Sequence, residues 1–445
     1  MSRHFLLALL IVFVAMPAIA ADPVRLDAKL LGVEVIERVV LPRVDEEVAK
    51  RQDFEATEAG QTARYAVPHA VRITPSSHGT WEQRDDGSWV WRLRLISRDA
   101  YSLNLGFSRY RMPKGGTLRI YATTGRGQVV GPFTARDNET HGELWTPPLP
   151  TDDLIVELTL PANKLRRYDL ELSWINHGYA GFGEPQPRSG ACNVDVTCPP
   201  AADWRNEARA VALVSVAGRH FCTGFLLNNT AEDGRPLFLT AKHCGIDETN
   251  AASVVVFWGH QSRVCRRGAS SYQAGDLRRF QTGARWLAGH DDTDFALLEL
   301  DDIPKARHRV YYAGWDRRHR AVAEATVIHH PNTDAKRIAY SSVGAVPTSH
   351  LGDDVPGDGS HLRVASWDLG TTEGGSSGAP LFDEHHRVIG QLHGGWAACG
   401  ADEPDWFGRL SAAWDGPTPD TRLRDWLDPM ATGTPVLDGI DSAGE

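Results

Sequence analysis

The sequence predicts a mainly β protein in two parts, a β-sandwich followed by a larger β unit with material for two barrels. Three observations carry this expectation. Short apolar runs alternate with period two between turn signals over 81–180, the signature of half-buried antiparallel strands. Further short strands fill 189–445, with helical spacing only near the end. All six cysteines, at 192, 198, 222, 244, 265 and 399, lie in that second part. At 445 residues the chain exceeds an ordinary single domain.

In chain order, Arg3 precedes an apolar run over 5–16 and then Ala18, Ile19 and Ala20, so residues 1–20 read as a secretory signal peptide. The run is too short for a membrane anchor, and no other approaches spanning length. Export, with no membrane partner, is the expectation. Residues 21–60 are charge-rich and predict a strand or two plus a short helix. Strands follow at 89–95, 103–107, 117–121, 154–158 and 168–172, punctuated by glycines such as Gly115 and Gly116. Core packing accounts for Trp89, Trp91 and Tyr121 without sugar binding, and no catalytic set assembles there. The Gly/Pro-rich stretch 181–188 reads as an exposed linker open to proteolysis. Residues 21–188 are therefore read as a removable pro-domain, cut between Arg188 and Ser189.

The second part predicts strands at 210–216, 222–227, 237–241, 253–258, 295–300, 326–329 and 388–392. Leu423, Trp426 and Leu427 have helical spacing, ended by Asp428 and Pro429. Residues 1–188 carry 23 Lys/Arg and 23 Asp/Glu, the remainder 24 and 34, so the net charge of −10 resides after the linker. That balance argues against nucleic acid or an anionic membrane and suits cationic substrates. An even cysteine count without C-x-x-C pairs predicts disulfides rather than zinc, in an oxidising compartment, with fifteen pairings open.

Gly374, Gly375, Ser376, Ser377, Gly378, Ala379 and Pro380 form the stretch with the most chemistry. A serine hydroxyl needs a base and N–H groups aimed at the developing oxyanion. A tight Gly-x-Ser-Gly turn offers those N–H groups from Gly375 and Ser377. His243 beside Cys244, after an apolar run, is the candidate base. Asp294, heading a strand-like run, is the candidate carboxylate ahead of its neighbours Asp291 and Asp292. Lys242, next to the base, has no assigned role. The order His, Asp, Ser resembles the chymotrypsin class, whose double β-barrel gathers three distant loops at one cleft. The same glycines fit the nucleophile elbow of α/β-hydrolases. That fold needs a helix after the serine, which Pro380 and the strand, turn, strand pattern over 379–392 oppose. The pairs His329–His330 and His385–His386 lack metal-site partners and read as loop histidines. No metal and no cofactor are expected.

Beyond the class, the chain resembles the precursors of bacterial lysyl endopeptidases of the Achromobacter and Lysobacter type. The residues that carry the likeness are Cys192 to Cys198, Ala313 to Arg318, Ile328 to Asn332, Gly390 to Gly395 and Leu423 to Pro429. It covers essentially all of 189–445, and the strand pattern near 85–180 is similar to the family's pro-region. The resemblance implies a trypsin-like double β-barrel protease domain over 189–445 with a C-terminal helix. It implies bridges Cys192–Cys399, Cys198–Cys265 and Cys222–Cys244. It also implies a substrate site of Asp405, His393, Gly394 and Gly395, with Asp405 flooring the pocket to pair with a lysine or arginine. A buried carboxylate without a partner is costly, so it favours an arriving cation. Two departures stand out. The family stacks a tryptophan on the histidine at 393, and the matching region 352–359 has no aromatic, so that partner is expected to be missing. Trypsin relatives carry an aspartate before the nucleophile, where this chain has Ser376. Activation is thus expected from loss of the pro-domain rather than from insertion of a new N-terminus. The expected protein is a secreted, monomeric serine endopeptidase, with peptide substrates and its own pro-domain as partners. The alternatives are an inactive homologue that binds peptides and a secreted esterase.

Overall fold

The structure is a computed structural model that describes residues 30–58, 61–124, 129–182, 189–266 and 277–442. The predicted signal peptide and Arg188 lie outside the described residues.

Alternation in the first part builds two facing sheets. One runs Arg38–Val40, Trp89–Ile96, Asp153–Leu160, Thr117–Ala122, Val129–Phe133, with Thr80–Gln83 also on Trp89–Ile96. The other runs Ala66–Ile73, Asp169–Gly178, Ser102–Arg111, Leu144–Trp145. Inward residues of the two sheets, Leu93, Leu95, Val156 and Leu158 against Leu105, Phe107, Leu172 and Ile175, share one core. Trp91 and Tyr121 are buried and Trp89 packs against the core. The charge-rich N-terminal stretch supplies the strand Arg38–Val40 and the helix Glu46–Glu58, whose first turn is acidic, as suits the helix dipole.

The second part holds two curled sheets. The first runs Phe280–Thr282, Val255–Trp258, Val211–Val216, His220–Leu227, Leu237–Ala241, Phe295–Leu300, Ala284–His290. Its two edge strands are consecutive in the chain, separated by Gly283 at φ +87°, so the sheet must bend until its edges approach. The second runs Val194–Asp195, Arg337–Ser341, Ala325–His329, Pro380–Phe382, Val388–Gly395, Asp405–Arg409, His361–Val364, Val346–Thr348. Val214, Leu226, Phe238 and Leu298 fill the first barrel, and Val327, Leu362, Leu381 and Phe407 the second. A third cluster, with Phe225, Leu239 and Leu297 facing Ile328, Phe382 and Leu410, joins them.

The terminal helix is a single turn, Arg424–Leu427, after which the chain adds strands Val436–Leu437 and Ile440–Asp441. A six-residue helix, Arg205–Ala210, stands where no helix was expected. It buries Glu207, Ala208 and Ala210 and is too short to register as a period in sequence.

The sandwich docks on the first barrel. Tyr65 and Phe182 pack with Leu213, Phe221 and Phe257. The Tyr65 and Ser215 hydroxyls lie 2.8 Å apart, and Asn104 Nδ2 donates to the Gly218 carbonyl at 2.8 Å.

Candidate active site

His243 follows the strand Leu237–Ala241 on a short 3-10 turn, Lys242–Cys244. Two constraints hold that turn. Cys244 is bonded to Cys222 on the neighbouring strand. The Lys242 N–H donates to the Asp294 carbonyl at 2.8 Å. Asp294 is reached through a turn in which its N–H donates to Asp291 O, leaving it at φ +52°. An aspartate tolerates the left-handed region better than most residues. This backbone aims the buried carboxylate at His243. Oδ1 accepts the His243 backbone N–H, and Oδ2 lies 2.8 Å from Nδ1. Asp291 and Asp292 are exposed, and Lys242 Nζ pairs with Asp291 at 2.8 Å, away from the imidazole.

The serine loop comes from the other barrel and is laid against the same strands. The Ser377 carbonyl accepts the Thr223 N–H at 2.9 Å, and the Gly375 carbonyl accepts the Thr223 hydroxyl at 3.0 Å. A Cβ on Gly378 would run into Thr223 O and Thr240 Oγ1 and come within 2.6 Å of Ala241 N. The residue after Ser377 must therefore be glycine, and it touches the strand that leads into His243. Gly375, at φ +84°, has no room for a side chain against the Phe221 ring. Among the described residues, neither the Gly375 nor the Ser377 N–H donates to an acceptor. Gln391 Nε2 donates to Thr293 O at 2.7 Å, pinning the Asp294 turn to the second barrel.

Ser376 has a partner that sequence reasoning missed. Its hydroxyl lies 2.7 Å from His329 Nδ1 and accepts the Glu373 N–H at 3.2 Å. His329 and His330 are not loop histidines. They end and follow a core strand, and both are fully buried. Burial pushes the His329 imidazole down to about 3, so a neutral imidazole–hydroxyl pair stands beside Ser377. The pair His385–His386 does lie in a turn, with His386 stacked on Trp204 at 3.9 Å.

Asp405 opens the strand Asp405–Arg409, fully buried. Its Oδ2 accepts from Trp367 Nε1 and from the Thr372 hydroxyl, each at 2.7 Å. Its Oδ1 has no hydrogen-bond partner among the described residues and points at Gly395, where any Cβ would strike it. Burial raises the carboxyl to about 6, against the pull of Thr372 and Trp367 and of the nearby Ala397 backbone. Gly394 faces open space.

His393 does have an aromatic partner, contrary to the sequence expectation. It is His350, two residues before the region without aromatics, with ring centroids 3.7 Å apart and 6° between planes. The other face of His393 looks toward His243, at 5.5 Å and 19°. His393 Nε2 stands 3.7 Å from Asp294 Oδ2, and Nδ1 stands 2.9 Å from His361 Nε2. Neither His350 nor His361 was picked out from sequence, since a histidine in a turn-rich loop or at a strand start carries no spacing signal.

The remaining sulfurs are bonded as Cys192–Cys399 and Cys198–Cys265. Ser189 is buried, its hydroxyl donating to Asp334 Oδ2 at 2.6 Å and accepting from Arg337 Nη2 at 3.0 Å. The Gly190 N–H donates to the Glu373 carboxylate at 3.0 Å. From the sandwich side, the Thr62 hydroxyl donates to the His243 carbonyl. The Phe221 N–H donates to Ala63 O at 3.3 Å and the Tyr65 N–H to Arg219 O at 2.8 Å.

Two barrels with a carboxylate-held imidazole on one and a glycine-flanked serine loop on the other define a serine endopeptidase of the chymotrypsin-like class. The family described as "Lysyl endopeptidase, C-terminal domain" matches residues 186–408, and "Lysyl endopeptidase N-terminal domain" matches 40–177. A lysyl endopeptidase of Pseudomonas aeruginosa is 31% identical over 363 residues, 75% of each chain. The chain belongs to the lysyl endopeptidase family. Among solved structures, a Glu endopeptidase aligns over 51% of this chain and 94% of its own, at 14% identity and TM-score 0.34. An M. tuberculosis protease in its active form aligns over 51% and 88%, at 20% identity and TM-score 0.30.

Proposed function

We propose that the protein is a secreted endopeptidase that cuts after basic residues, lysine first among them, by an acyl-enzyme mechanism. His243 takes the Ser377 proton as the hydroxyl attacks the peptide carbonyl, then protonates the leaving amine. Asp294 fixes the imidazole tautomer and stabilises the imidazolium. The Gly375 and Ser377 N–H groups receive the oxyanion, a donor of this kind contributing about 3 kcal/mol. Asp405 receives the cationic side chain, flanked by His393, Gly394 and Gly395.

The observation that carries the preference is the free Oδ1 of Asp405. A fully buried carboxyl with two hydrogen bonds on one oxygen and none on the other is best satisfied by an ammonium or guanidinium, which supplies both a donor and the opposite charge. Digestion of a mixed peptide library by the processed enzyme tests this. Cuts after Lys, with or without Arg, are expected; cuts spread over neutral residues would sink it.

Residues 21–188 act as a pro-domain released by cleavage at Arg188–Ser189, downstream of a signal peptide at 1–20. Latency is supported by the segment 61–65, which pairs with the Arg219–Phe221 edge and reaches the His243 carbonyl. Because Ser189 and Gly190 are already seated in the uncut chain, cleavage removes a cover and inserts nothing.

A further inference from the structure

We infer that His350, His361 and His393 form a binding site for a divalent first-row transition ion of the zinc type, on the flank of the catalytic histidine. The sequence pointed to no metal because these residues are spread from 350 to 393 and become neighbours only through sheet order. His361 begins the strand His361–Val364, His393 lies on Val388–Gly395, and both strands pair with Asp405–Arg409. His350 follows the adjacent edge strand, Val346–Thr348.

One ring nitrogen from each histidine lies within 4.8 Å of the other two. His361 Nε2 and His393 Nδ1 are 2.9 Å apart, whereas a tetrahedral zinc at its usual bond length holds ligand nitrogens about 3.3 Å apart. Strand-borne rings reach that spacing by a small shift. The outward nitrogens of both rings face oxygens: His361 Nδ1 lies 2.7 Å from Ser360 Oγ, and His393 Nε2 faces the Asp294 carboxylate at 3.7 Å. A hydroxyl within hydrogen-bond reach of an imidazole ligand, as Ser360 is of His361, orients it and raises its basicity. His350 is exposed, which gives the ion a way in and leaves its fourth position to water. Its ring must turn from stacking so that its in-plane lone pair meets the others. Burial lowers His361 to about 4 and His393 to about 3, so both are neutral at pH 7.

An ion held by His393 places positive charge near Asp294, the carboxylate that orients His243, and would slow peptide hydrolysis. That consequence rests on the triad assigned above; the binding does not. The test uses the full chain carrying Ser377→Ala, with Zn2+ in equilibrium dialysis and Co2+ followed by its visible d–d absorption. One ion per chain is expected, with binding weakened at least about tenfold by His350→Ala or His361→Gln and unchanged by His385→Ala. Two results would overturn the site: no saturable binding below millimolar Zn2+, or binding that survives both substitutions but is lost with His243→Ala, which would move the ion to the His243–Asp294–His393 group. Inhibition of the processed enzyme by Zn2+, reversed by chelator, is measured separately. Full activity with the ion bound would remove the inhibitory role and leave the site standing.

Discussion

Asp294 and Asp405 are both buried carboxylates at the head of a strand, one on each barrel, and they differ in what their oxygens do. Both oxygens of Asp294 are engaged by one residue, through the His243 backbone N–H and Nδ1. Asp405 concentrates two donors on Oδ2 and leaves Oδ1 bare beside Gly395. A carboxylate with both oxygens engaged is a fixture that holds another group still. One that is half satisfied and pushed up to about 6 by burial is suited to the receptor role proposed for it, since an arriving cation would stabilise its charged form.

The contrast breaks most visibly in substitution. Asp294→Asn keeps the shape and presents the wrong tautomer to His243, so kcat should fall about 10⁴-fold on every substrate, lysyl or not. Single-turnover kinetics on matched lysyl and neutral esters checks this; a loss confined to lysyl substrates would exchange the two roles. Asp405→Asn should instead lower kcat/KM about 10²- to 10³-fold on lysyl and arginyl substrates only, as expected for removing one partner of a buried charge pair. Neutral substrates measured in parallel must be spared for the reading to hold.

Acid sharpens the same difference. Burial raises Asp405, so below about pH 6 its carboxyl takes up a proton and can no longer pair with a lysine. The ratio of kcat/KM for lysyl over neutral substrates should fall about tenfold per pH unit below that point, by simple titration of one group. Taking the ratio cancels the titration of the general base, and a ratio flat from pH 8 to 5 would contradict the assignment. The smallest effect concerns the stack of His350 on His393. His350→Ala removes a ring worth about 0.5–1.5 kcal/mol to His393, so lysyl turnover should drop about two- to tenfold, and His350→Trp should restore it. Steady-state kinetics of both variants without added metal checks this.

The larger architecture was legible because alternation and turn residues report strands directly, and the core faces of Trp89–Ile96 and Asp153–Leu160 follow it. The serine turn was legible because its glycines are forced: Gly375 by a left-handed φ against Phe221, Gly378 by contact with Thr223 and Ala241. His329 and His330 were misread because a histidine ending a strand has the same letters buried or exposed. Only the fold brings Ser376 to His329. Thr372 and Trp367, which hold Asp405, and His350 and His361, which surround His393, come from separate segments, and nothing local marks their convergence. The helix Arg205–Ala210 was missed because it spans less than two turns.

The Thr62 contact has a consequence for how the uncut chain would behave toward different molecules. Among the described residues, the segment 61–65 meets His243 at its carbonyl, on the first barrel, while Asp405 and the serine loop belong to the second. A lysine methyl ester, whose departing alcohol is tiny, needs no room along the covered edge. Dormancy of this kind would be a sieve on the departing half of the substrate: folded proteins and long peptides turned away, small activated esters still turned over before maturation.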